Sequence, residues 1–86
     1  MPAEELFVDI PVDGEWPSPD DMNARNAVVD ELDELNIGEF IGSGGGMGSM
    51  DFSYIFADGE AGRRVIETLM EKHLPGREFT IRVCDD

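Results

Sequence analysis

Eighty-six residues are enough for one small domain, residues 1–86, and a hydrophobic content of 41% suits a globular chain rather than a disordered one. Twenty acids stand against six bases, a net charge of −14, which excludes direct binding to nucleic-acid phosphates and repels the chain from an anionic membrane surface. No run reaches the roughly 18 apolar residues of a membrane span, the acidic start MPAEELF lacks the marks of a secretory signal, and the single cysteine, Cys84, can neither close an internal disulfide nor build a zinc knuckle. A cytoplasmic protein is expected.

Glu5 to Val12 alternates, with Leu6, Val8, Ile10 and Val12 on one side and Phe7, Asp9 and Pro11 on the other, the period of a strand whose pairing ends at the proline. Asp13 to Pro17 is loop. Ser18 then caps a helix, Pro19 fits its first position, and Asp20 and Asp21 face the positive end of its dipole. Ala24, Val28, Leu32 and Leu35 form its apolar stripe, and Asn36 suits a left-handed end. Trp16, just before the cap, is expected to pack over the first turn. Ile37 to Ile41 is a short apolar stretch, and after the glycine-rich segment Met50 to Ala57 is the clearest strand, with Met50, Phe52, Tyr54 and Phe56 on one face. Asp58 caps a second helix carrying Val65, Ile66, Leu69, Met70 and His73, which Pro75-Gly76 stops. Arg77 to Cys84 reads as a last strand, with Phe79, Ile81 and Val83 facing inward.

The order β-α-β-β-α-β with short connections predicts an α+β, ferredoxin-like sandwich: a four-stranded antiparallel sheet, both helices on one face, the first and third strands central. The sheet's other face would then be open and would show Phe7, Asp9, Asp51, Ser53, Ile55, Thr80, Arg82 and Cys84, with Arg82 in reach of Asp9. A solvated face with a cross-strand ion pair is one reading of it. A partner surface or a homodimer interface is the second, because Phe7 and Ile55 are apolar on an uncovered sheet; paired-carboxylate catalysis by Asp9 and Asp51 is the third, with nothing else needed for acid–base work visible.

Gly42, Gly44, Gly45, Gly46 and Gly48 fall within IGSGGGMGSM. They do not fit G-x-G-x-x-G, no lysine follows, and the segment runs from strand to strand, so the parts of a phosphate loop are missing. A hairpin bend is expected instead, its glycines supplying positive φ, with Gly44, Gly45, Gly46 and Met47 as candidate partner contacts at its tip. GEFIGSGGGMGSMDFSYIFAD, Gly38 to Asp58, resembles the strand–GGGxG–strand hairpin of small uncharacterised bacterial α+β proteins, some of which are similar to immunity proteins of toxin systems; Met47 stands where those often have Thr. The resemblance implies a non-enzymatic role and carries over no catalytic residue.

No catalytic, cofactor or metal constellation is legible. His73 has no second histidine beside it and reads as a cap or packing residue. Asp9, Asp13, Glu15, Asp20 and Asp21 are expected to gather near one end of the sheet, without EF-hand spacing. The charge is uneven: residues 1–60 hold 15 acids and only Arg25, whereas residues 61–86 hold five of each sign. That distribution fits a module that steers a basic protein toward itself, of immunity or inhibitor type; it also fits an acidic surface kept for solubility or for a salty cytoplasm. The alternative is a small-molecule-binding regulatory domain of the ACT kind acting as a dimer, with Gly14 as its candidate glycine.

Overall fold

A computed structural model describes residues 3–84. Its elements are β1 (Glu4–Pro11), α1 (Pro19–Leu35), β2 (Gly38–Gly46), β3 (Ser49–Phe56), α2 (Gly59–His73) and β4 (Thr80–Val83). The strands form one sheet in the order β2-β3-β1-β4, every neighbouring pair antiparallel. This is the ferredoxin-like α+β arrangement that the element order predicts.

The pleat divides β1 and β3 cleanly. Leu6, Val8 and Ile10 face Tyr54, Phe52 and Met50 across the ladder, and all six are buried, as is Phe56. Val28, Val29 and Leu32 of α1 and Ile66, Leu69 and Met70 of α2 complete the same core. Burial of a side chain of this kind contributes about 1.5–3 kcal/mol, so these positions carry the fold. Tyr54 and Phe56 stack with ring centroids 4.9 Å apart.

The helix ends follow the local chemistry. Ser18 Oγ accepts from the Asp21 N–H at 3.1 Å, Pro19 opens α1, and Asn36 ends it in the left-handed region at φ 54°. Asp58 Oδ1 accepts from the N–H groups of Glu60 and Ala61 at the start of α2. Side-chain ties then lock the layers. Lys72 and His73 of α2 both engage the Glu31 carboxylate of α1. Their hydrogen bonds, His73's foremost, hold that carboxyl below its ordinary range. Arg77 donates to Asp21 Oδ1 at 2.7 Å and to the Pro11 carbonyl at 2.9 Å, joining the start of α1 to the end of β1. Its hydrogen bond is the main cause that lowers the Asp21 carboxyl. His73 is thus an inter-helix contact, and Leu74 forms the cap, its N–H donating to Met70 O.

Three boundaries differ from expectation. Leu35 is 52% exposed instead of closing the apolar stripe of α1, and it borders a shallow groove between the helices with Val65 and Leu69; the buried place near the helix start goes to Arg25. β4 begins at Thr80 rather than Arg77, because the Arg77 N–H closes the turn after α2 by donating to Leu74 O. β2 does not end at Ile41: it runs through the glycines to Gly46, with a register shift between Phe40 and Gly42. That shift is a β-bulge, and it leaves Ile41 outside the ladder.

Candidate functional site

The glycine run is therefore mostly strand. Gly42, Gly44, Gly45 and Gly46 pair with Ser53, Asp51, Met50 and Ser49, and the chain reverses only through Met47 and Gly48, at φ 54° and 87°. Two successive positive φ values are the geometry of a two-residue type I′ hairpin, whose twist matches that of the strands. Met47 sits at the tip, 98% exposed.

The predicted open face is present, and the ladder brings its residues together. Asp9 lies directly opposite Asp51 and Phe7 opposite Ser53, with Ile55 further along β3. Gly44 pairs with Asp51, so the glycine strand adjoins this face, and an added Cβ at Gly44 would lie 3.5 Å from Asp51 Oδ1. Arg82 does not reach Asp9. Its register partner is Phe7, and its guanidinium carbon lies 4.8 Å from the centre of that ring, while Asp9 faces Thr80. A planar cation over an aromatic face is a favourable stack, and register decides the partner. Asp9 and Asp51 remain like charges side by side, a pairing that disfavours the sheet by a fraction of a kcal/mol, about 0.2–1. Among the described residues no three of His, Cys, Asp and Glu come close enough together to hold a metal ion, and Asp21 is committed to Arg77.

The other candidate feature lies on the helix side of β2. The loop after β1 is laced to the hairpin turn, since the Val12 N–H donates to Gly48 O at 2.9 Å and the Gly48 N–H donates to Glu15 O at 3.0 Å. Trp16 is laid against Gly46, where an added Cβ would sit 2.9 Å from the indole. It remains 69% exposed. Between this loop, the start of α1 and β2 opens a cleft of about 400 Å³, lined by Trp16, Pro17, Met22, Arg25, Ser43 and Gly45.

Arg25 forms its floor at 8% exposure. Its Nη1 donates to Gly44 O at 3.0 Å, and its Nε and Nη2 donate to Asn26 Oδ1. Burial of an arginine is tolerated when its donors are satisfied in this way. The sequence reading missed this residue. Its available signal was its place three and four residues before Val28 and Val29 on the apolar side of α1. The cleft was missed because it depends on where Trp16 goes.

No family model, curated protein or solved structure matches the chain. Among the described residues no helix is long and apolar enough to cross a membrane.

Proposed function

We propose that this is a non-enzymatic, acidic interaction module of the cytoplasm that binds a basic protein, in the manner of an immunity or inhibitor protein and its target. The supporting observation is the place of Arg25. It is the only base in residues 1–60, and it is turned inward onto a backbone carbonyl. Among the described residues the exposed acids Asp20, Asp30, Asp33 and Glu34 along α1 pair with no base. The bases of the other part are each engaged within the fold: Arg63 at the Ile81 carbonyl, Arg64 with Glu60, Lys72 with Glu31, Arg77 with Asp21, and Arg82 on Phe7. A one-signed field of this kind raises the rate of encounter with an oppositely charged surface, and salt screens it.

The test is affinity capture followed by kinetics on the captured partner. Binding is expected to weaken steeply between low and high ionic strength. Replacing Asp30 and Glu34 by their amides should lower the association rate several-fold without loss of thermal stability. Capture indifferent to salt would sink the reading. The cleft itself favours the second reading, a ligand-binding regulatory domain: it is concave and apolar with one arginine. A thermal-shift screen separates the two, because a small ligand that fills it raises the melting temperature by mass action.

A further inference from the structure

β2 is an unguarded sheet edge. Among the described residues no strand pairs with its outer side, and at nine residues it is more than twice as long as β4, the other edge. Edges of this length are usually blunted by lysine, proline, inward charge or repeated bulges. Gly38–Gly46 has no lysine and no proline, a single charge at Glu39 and one bulge near its start. From Gly42 to Gly46 the only side chain is that of Ser43, so little shields the backbone from an approaching strand. The same margin gathers exposed apolar surface. Phe40, Ile41 and Met47 belong to β2 or its turn, and Trp16 and Met22 border the cleft beside it.

We propose that the outer edge of β2 receives an extended, basic segment of the partner as a fifth strand, with one of that segment's apolar side chains seated in the cleft between Trp16 and Met22. This rests on the reading of the protein as a module for a basic partner. Main-chain pairing supplies affinity in such strand addition, and a pocket for alternate side chains supplies selectivity. The cleft lies on the helix side of β2, where every second side chain of an added strand would point. Charge selects the occupant. Tyr54 is the register partner of Phe40 and donates its hydroxyl to Asp33 Oδ1 at 2.7 Å, so the acidic side of α1 stands near the first half of β2, beside Glu39. Lysine or arginine along the added strand would meet these carboxylates. A second copy of this chain would bring another net −14 to the same edge and is disfavoured by like-charge repulsion.

The probe is a short synthetic peptide alternating lysine or arginine with valine or leucine, titrated at low salt and followed by amide hydrogen exchange. Two comparison peptides accompany it: one N-methylated at alternate residues, which keeps side chains and charge but cannot pair along one edge, and an all-lysine peptide of equal charge. The parent peptide should slow exchange across residues 40–46 and bind about tenfold or more tightly than the N-methylated one, the loss expected for one or two main-chain hydrogen bonds. Trp16→Ala should weaken the parent peptide about tenfold while leaving the melting temperature unchanged, as truncation of an exposed aromatic anchor does. Equal binding of parent and N-methylated peptides overturns strand addition and leaves the charge reading standing. If none of the three peptides binds at low salt, both readings fall. Protection of β2 that arises without peptide, together with a doubling of molecular mass, assigns the edge to a second copy and overturns the proposal.

Discussion

Met47 holds a left-handed backbone that L side chains avoid, at a cost of about 1–2 kcal/mol for most residues, and its side chain gains no burial in return. The substitution Met47→Asn produces the Asn-Gly pair preferred in type I′ turns and should raise stability by about 0.5–1 kcal/mol in a denaturant titration. Tyr54 is the opposite case, a buried group whose polar end is satisfied. Burial first, and the Asp33 carboxylate second, push its hydroxyl up to about 12. The folded state thus keeps the proton longer than the unfolded chain, whose tyrosine titrates near 10. The bond's contribution is whole below pH 10 and is lost as pH rises toward 12, which an ultraviolet titration of the phenol against unfolding will show. Tyr54→Phe should cost about 0.5–1.5 kcal/mol at neutral pH, the usual net worth of such a hydrogen bond. It should also abolish the alkaline dependence that Tyr54 contributes.

Among the elements, α2 depends on a residue that carries no side chain. Gly62 is buried against the Phe56 ring, and a Cβ there would overlap the ring itself. Gly62→Ala should destabilise the protein by about 1–3 kcal/mol, the range for overpacking a core contact. Gly42→Ala, in a strand position with open space around it, should change stability by no more than about 0.5 kcal/mol. The two glycines look alike in the sequence. Periodicity reports which face a residue takes, and so Leu6, Phe52 and the two caps Ser18 and Asp58 were readable. It does not report how closely a neighbour approaches, which is why Gly62 drew no notice. The same limit explains the hairpin. Five clustered glycines resemble a loop because glycine favours loops, yet pairing to a strong strand, Ser49–Phe56, was enough to hold Gly42–Gly46 extended. Phe7, Asp9, Asp51, Ser53 and Ile55 were legible as one face from alternation alone. The partner of Arg82 was not, since it turns on a register that no local pattern specifies. The cleft required Trp16, whose position follows from two backbone hydrogen bonds of the loop.

For the molecule as a whole, charge sets the response to solution conditions. A net −14 on 86 residues repels itself in the compact state, so added salt should raise the melting temperature even as it weakens capture of a basic partner. Stability and affinity moving in opposite directions on one salt series is a simple joint measurement. Acid acts on the two depressed carboxyls: Asp21 and Glu31 ionise below their ordinary values of 3.8 and 4.5 when folded. Their support is present above those values and disappears as pH falls beneath them. The register carries one more consequence. The Cys84 N–H donates to Glu5 O at 2.8 Å, while Pro11 at the far end of β1 pairs with Ser49 beside the turn. Both outgoing chain directions therefore leave from one pole of the sheet and Met47 occupies the other. A fluorophore or bead fixed at that pole, beside Glu5 and Val83, would trail behind the molecule, with the cleft and its bordering tryptophan still facing forward.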